Sequence, residues 1–310
     1  MPAISATLNA FIPVFEASFD IAYQQLAATL REAVDTKPGQ GDRMRGQILD
    51  SLEATEYSER GGETVYTDLD ADFWNVFPVA AEAANLIDEY DDEYLATITR
   101  PDSEIVQSHA AAIARQIDNK IVRAFTAPAL RGKNGTTSSN FDTTNQRVPV
   151  DYNSPTASDA NTGLNFYKIV RAGRILDDNE VPDDGQRFFG LRAQQMEELA
   201  NDIIENHADN LSSLKMMPGT KVITEFYGFR FIQNQRWLVN DPVTGAGTDV
   251  ASCIAWHRNA VKCRVWKDRA TMMDILPERR HALAIRTVVN CGATRARDGG
   301  VVEVLCDQSP

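Results

Sequence analysis

PDSEIVQSHAAAIARQIDNKIVRAFTAPALRG, residues 101–132, decides the fold. Val106, Ala110, Ile113, Ile117, Ile121, Ala124 and Phe125 recur at spacings of three and four, which places them on one face of a helix. Asp102 or Ser103 is a candidate N-cap, and Pro128 with Gly132 ends the element. The stretch holds no catalytic motif. A helix this long, backed by a narrow stripe of small and branched residues, serves as a strut.

Upstream of the helix, residues 86–99 read LIDEYDDEYLATIT, an acidic β-like run, and Pro101, Asp102 and Ser103 form a short polar turn. The helix itself carries Ala112, Arg115 and Asp118 in an A-x-x-R-x-x-D pattern. This order of segments resembles the spine-helix region of the major capsid proteins of tailed phages, the Hong Kong 97-type fold. The resemblance continues over nearly the whole chain and rests on segment order, with no single motif as specific as a metal or phosphate signature. It implies an α+β fold with an N-terminal arm over 1–46 and an extended β-hairpin loop over 47–80. A peripheral domain over 81–163, with its spine helix at 102–127, would follow. An axial domain over 164–266, a return strand of the peripheral domain over 267–292 and a last strand back to the axial domain over 293–310 complete it.

The segments outside the strut have readings of their own. Residues 14–34 show an amphipathic helix pattern with Phe15, Phe19, Ala22, Leu26 and Leu30 on one side, and TKPGQGD, 36–42, breaks it. Residues 48–78 read as two β-like runs around Gly61 and Gly62, a hairpin that would be marginal alone. Arm and hairpin have too little local chain to cover Phe15, Phe19, Phe73, Trp74 and Phe77, which makes these the candidate assembly-interface residues. Residues 131–163 form a long polar stretch, read as a surface insertion with one short β piece at Arg147 to Val150.

Beyond it the pattern is α/β. Leu164 to Leu176 and QQMEELANDIIEN, 194–206, read as helices, and RFFGLR, 187–192, as a buried strand. Strand patterns dominate KVITEFYGFRFIQNQRWLV, 221–239, ASCIAWHRNAVKCRVW, 251–266, HALAIRTVVNCGATR, 281–295, and VVEVLC, 301–306. By the resemblance, the segment from Glu278 to Ala284 with Val288, Gly292 and Ala293 is the long return strand.

Composition bounds the function. The 310 residues are 43% hydrophobic and carry a formal charge of −13, with a pI near 4.8 and a mean hydropathy of −0.33. The acidic balance excludes a nucleic-acid binder that works through a basic surface. No apolar run reaches membrane-spanning length. No basic residue precedes Arg31, so the start lacks a secretory n-region and the expected place of synthesis and assembly is the host cytoplasm.

Candidate chemistry is thin. Asp68, Asp70 and Asp72 copy half a calcium loop, but Phe73 and Val79 stand where Gly and a bidentate Glu are required. Asp88, Glu89, Asp91, Asp92 and Glu93 alternate faces along a strand and so do not converge as metal ligands would. His109, His207, His257 and His281 follow no ligand spacing, and His109 reads as a packed helix residue. Cys253, Cys263, Cys291 and Cys306 contain no C-x-x-C pair and read as small buried hydrophobes on strands. There is no G-x-S-x-G, no phosphate-binding G-x-x-x-x-G-K and no G-x-G-x-x-G after a strand.

Of the two function classes weighed, an enzyme using acidic residues would need one cleft gathering carboxylates from several elements, whereas the resemblance implies a self-assembling shell protein. It implies homo-pentamers and homo-hexamers enclosing double-stranded DNA by non-specific proximity in the virion, and no cofactor. The implied partners are a scaffolding protein during assembly, a portal protein at one vertex and an accessory cement protein. The segment before the hairpin is too short for the fused scaffold of some relatives. An encapsulin-like nanocompartment shell is the alternative. Some members of the fold join a hairpin lysine to a neighbour's asparagine, but here no lysine lies between Lys37 and Lys120, so no such cross-link is expected.

Overall fold

The computed structural model describes residues 27–49, 71–87, 104–154, 161–206, 215–216, 223–245, 247–279 and 282–308, with the isolated positions 54, 56 and 66. In chain order the strands before the long helix are β1 (Asp35–Pro38), β2 (Met44–Leu49), β3 (Ala71–Val76) and β4 (Val79–Ile87). Helix α1 (Glu104–Thr126) leads to β5 (Ala129–Arg131), β6 (Thr137–Ser139) and β7 (Arg147–Val148). Then come α2 (Phe166–Asp178), β8 (Arg187–Leu191), α3 (Ala193–Asn206), β9 (Lys215–Met216), β10 (Ile223–Phe226) and β11 (Phe229–Gln233). The chain ends with β12 (Val250–His257), β13 (Val261–Leu276), β14 (Ala282–Arg295) and β15 (Val301–Asp307).

Three sheets organise these strands. A seven-stranded sheet, in the order β7-β15-β12-β8-β11-β10-β9, packs against α2 and α3 around Ile169, Leu176, Phe189, Leu199 and Val304. A four-stranded sheet, β1-β13-β14-β4, carries α1 on its face, and another, β2-β3-β5-β6, forms the base of the hairpin. The central strand β12 is buried at all eight positions, which is why its sequence is mostly apolar rather than alternating, with Ser252 and His257 held by hydrogen bonds. β12 lies in the seven-stranded sheet and β13 in the four-stranded one, and the changeover is a single 3-10 turn at Arg258–Ala260. The sequence ran these two strands together and placed the boundary six residues later, because both sides of the turn carry the same Cys/Ala/Val pattern.

The spine helix is present, with Ile113, Ile117, Ile121 and Phe125 buried in the core it shares with β12, β13 and β14. Phe125, Trp237 and Trp256 meet at its centre, with ring centroids 4.8–5.8 Å apart. The helix buries more than the expected stripe, including Ala111, Asp118 and Val122. Pro128 follows its end, and Gly132 has a φ of +79°, as a turn closed by glycine requires.

The structure corrects several expectations. Residues 27–34 are a bent wedge rather than the end of a helix: the amides of Thr29 and Leu30 go to Asp118 instead of to helical carbonyls. The wedge buries Leu30, Ala33 and Val34, and β1 then runs parallel to β13 through the segment expected to be a break. Burying Leu30 and Val34 stabilises this attachment by about 1.5–3 kcal/mol each. The remainder of the expected helix at 14–34, together with Phe15, Phe19, Gly61, Gly62, the acidic run from Asp88, and the caps Asp102 and Ser103, lies outside the described residues.

The polar stretch 131–163 is also not a plain surface insertion. Arg131, Phe141, Gln146 and Val148 are buried, β5 and β6 join the hairpin-base sheet, and β7 joins the seven-stranded one. The segment from Glu278 to Ala284 begins as a 3-10 turn at Pro277–Arg279, so the return strand proper starts at Ala282.

Candidate functional site

The sequence placed no chemistry in a pocket, and what the fold builds is a joint where arm, spine and hairpin base meet. Asp118, fully buried on α1, accepts from the Thr29 amide at 3.1 Å, the Leu30 amide at 3.2 Å and Asn234 Nδ2 at 2.9 Å. The last residue of the A-x-x-R-x-x-D pattern thus pins the inner end of the arm to the middle of the spine. Below it, Trp256 Nε1 donates to the Ala33 carbonyl at 2.9 Å.

A second tie closes the other end of the spine. Arg295, fully buried, donates to the carbonyls of Phe125 at 2.7 Å and Ala127 at 3.1 Å, to Ser139 O at 3.2 Å and to Asp298 at 2.6 Å. A guanidinium here satisfies carbonyls that a helix end leaves open and sits at the negative end of the helix dipole. Asp298 also receives Arg131 at 3.2 Å, and Arg131 reaches Asp72 at 3.3 Å. One charged network therefore spans the hairpin base, the spine end and the end of β14.

The third tie holds β1. Asp35 lies 3.1 Å from Lys262 and 3.0 Å from Arg264, and the Arg264 guanidinium sits over the Trp74 ring at 5.2 Å. Burial pushes the Asp35 carboxyl up, but hydrogen bonds and charge from Lys262 and Arg264 outweigh it and hold the group below its usual range. Trp74 in turn covers Gly46 on the paired strand β2, where an added Cβ would stand 2.3 Å from the indole. Only glycine lets the two hairpin strands close here.

Two polar anchors, one on α2 and one on β15, complete the frame. Lys168, fully buried, points its ammonium at the carbonyls of Val150, Thr162, Gly163 and Leu305, at 2.6–3.0 Å. Burial lowers its pKa. Glu303, fully buried, takes Arg147 at 2.8 Å, Ser252 at 2.8 Å and Thr244 at 3.0 Å. Neither anchor was singled out from sequence, although Lys168 does stand inside the apolar stripe of α2, between Leu164 and Ala172, where a charge requires partners.

Of the candidate interface residues, Trp74 is covered within its own subunit, Phe73 is half-buried under Arg45, and Phe77 is 38% exposed. Apolar exposure as large or larger lies at residues the sequence did not name as interface: Val79 and Leu86 on β4, and Met272, Met273 and Ile275 on β13. A cleft of about 650 Å³ runs between the hairpin base and the loop at Asn179–Pro182, lined by Lys37, Gln47, Glu180, His257 and Arg297 among others. His257 there is held by Asp184 at 3.1 Å and by the amide of Asn259, a structural use. Among the described residues no group of His, Cys, Asp or Glu is arranged to hold a metal ion. The four cysteines are free and buried on strands, and burial pushes the Cys263 thiol up to about 11, so it is inert. His109 is buried on the spine against Thr287, as a packed helix residue.

No helix among the described residues is long and apolar enough to cross a membrane. No curated protein matches the sequence. Solved structures do match. The head structure of Helicobacter pylori bacteriophage KHP40 superposes with a TM-score of 0.70 at 12% identity, covering 100% of this chain and 99% of that one. The acid-stable capsid of Helicobacter pylori bacteriophage KHP30 gives 0.69 at 13% identity, covering 100% and 98%. The capsid of cyanophage P-SCSP1u gives 0.67 at 12%, covering 97% and 94%. At these identities the likeness establishes the fold, the Hong Kong 97-type capsid fold expected from the sequence. The phage capsid protein family matches residues 8–308, which favours a phage shell over an encapsulin-like one. The match of the family model to nearly the whole chain and this fold agree: the chain belongs to the phage capsid protein family, a structural component of the virion.

Proposed function

We propose that the chain assembles as pentamers and hexamers into the icosahedral head that encloses double-stranded DNA. The observation that carries this reading is the match of the whole chain to whole capsid chains, from arm to last strand. The hairpin base, fixed to the spine by Arg131, Asp298 and Arg295, supports it: a hairpin on so firm a footing is suited to reach across a neighbour. In this reading the arm and hairpin carry most inter-subunit contact through Phe15, Phe19, Phe73 and Phe77, with Trp74 fixing the hairpin's root. The net charge of −13 suits a wall that lies near packaged DNA without gripping it. A scaffolding protein guides assembly, a portal protein occupies one vertex, and a cement protein reinforces the outside, all in the host cytoplasm.

Electron microscopy of the protein co-expressed with its phage partners tests the proposal, and closed shells are expected. Persistent monomers would overturn it. Deleting residues 55–68 is expected to leave a folded subunit that no longer closes shells, and normal assembly of that deletion would remove the hairpin from the account.

A further inference from the structure

The four-stranded sheet under the spine ends in β4, which has β14 on one side and, among the described residues, no strand on the other. Of the residues with which soluble proteins blunt an open edge, its nine positions, VAAEAANLI, include no Lys, Arg or Pro and one charge, Glu82. The strand β13 near the opposite rim is guarded: its pairing is broken by irregularities after Val265 and Lys267, it carries Lys267, Asp268 and Arg269, and Asp268 is taken by Arg31. Beyond Arg269 β13 is regular again and exposes the bulky Met272, Met273 and Ile275, whereas the exposed positions at the centre of β4 include Ala80 and Ala84. Along it Ala81 and Ala83 are half-buried, while Ala80, Glu82, Ala84 and Leu86 are exposed.

We propose that β4 pairs antiparallel with β4 of a second copy, centred on Ala83, about a twofold axis. The inference rests on the shell reading and deepens it by naming one contact between subunits. A twofold contact must be self-complementary, and this strand is. Ala80 faces Leu86 of the partner subunit, Ala81 faces Asn85 of the partner subunit, and Glu82 faces Ala84 of the partner subunit. Val79, 55% exposed, and Leu86, 46% exposed, lie towards the two ends of the paired stretch, where the second copy covers them. The single charge, Glu82, is already held by Arg286 at 2.7 Å, so no like charges oppose each other. Alanines on both faces of the centre let two backbones close to ladder distance without a side-chain clash.

Single-cysteine variants in assembled particles test the register. The four native cysteines are buried, so an introduced thiol reports alone. Under mild oxidation, Ala83→Cys is expected to give a reductant-sensitive dimer band, because the two copies of that position face each other. Ala80→Cys is expected to give none, since its two copies stand six residue steps apart, about 20 Å. Absence of the dimer with Ala83→Cys, or equal dimer with Ala80→Cys, overturns the pairing. Should Ala83→Cys not yield particles, the double variant Glu82→Cys/Ala84→Cys, whose two positions oppose one another, decides on the same readout. Electron microscopy of the same preparations separates the two ideas: closed shells without the cross-link sink the strand pairing and leave the shell reading intact. Failure of the unsubstituted protein to form shells removes both.

Discussion

Arg295 on β14 donates to the carbonyl of Phe125 at 2.7 Å, closing the last turn of the spine with a side chain 170 residues further along the chain. The same guanidinium binds Asp298 and Ser139 and lies over the Phe141 ring at 5.3 Å, so strand, helix and polar stretch share one charge.

Arg295→Met is therefore expected to cost about 1–3 kcal/mol, the range for leaving buried carbonyls without their donor. Urea unfolding of the soluble subunit measures it as a lowered midpoint. Asp298→Ala should cost less, because Asp298 is 38% exposed and water replaces part of what is lost. Equal losses in the two variants would show that the carbonyl contacts of Arg295 contribute little.

Asp118→Ala leaves the buried amide of Leu30 without its acceptor, at about 1–3 kcal/mol, and turns the part-buried amide of Thr29 over to water. The expected consequence is local. Amide exchange at Leu30 and proteolytic cleavage within 27–34 should rise while the core of β12 and β15 stays protected. Unchanged exchange at Leu30 would mean that the apolar wedge alone holds the arm.

Lys168 gives a pH dependence with a definite sign. Its pKa in the folded state lies below that in the unfolded chain, so between the two values the unfolded chain binds the extra proton. Stability associated with this group therefore increases as pH rises through the folded pKa towards about 10.5 and levels off above it. Comparing alkaline unfolding of the wild type with Lys168→Met isolates the effect, since other lysines and tyrosines titrate in both. The variant should lack the rise and be less stable by about 1–3 kcal/mol, because four carbonyls lose their donor.

Boiled particles are expected to show a single capsid band near 34.3 kDa in a denaturing gel, since the hairpin contains no lysine. A ladder of multiples that survives reductant would show that another residue links the subunits.

What the sequence made legible follows from packing. Ile113, Ile117, Ile121 and Phe125 face one core and keep helical spacing, and β8, β12 and β15 are largely buried on both faces and so read as mostly apolar runs, with Glu303 the buried charge among them. The wedge at 27–34 was misread because Leu30, Ala33 and Val34 also fall at spacings of three and four. Nothing in that local pattern shows that Asp118, 88 residues away, takes the Leu30 amide. The far half of β13 was invisible as a surface, since its exposed residues mix Met272, Met273 and Ile275 with charges. Charged residues that act inside the fold, Arg295, Glu303 and Lys168, look like surface residues until their partners are placed.

The parallel pairing of β1 with β13 has a mechanical meaning. A pull on the arm is directed along β1 and loads its pairs with β13 together, in shear, instead of opening them one at a time. Before that load arrives, the Asp118 latch and the wedge of Leu30 and Val34 must give way. Load applied at Leu30 or Val34 is thereby carried into β13 and the spine and spares the surface loops.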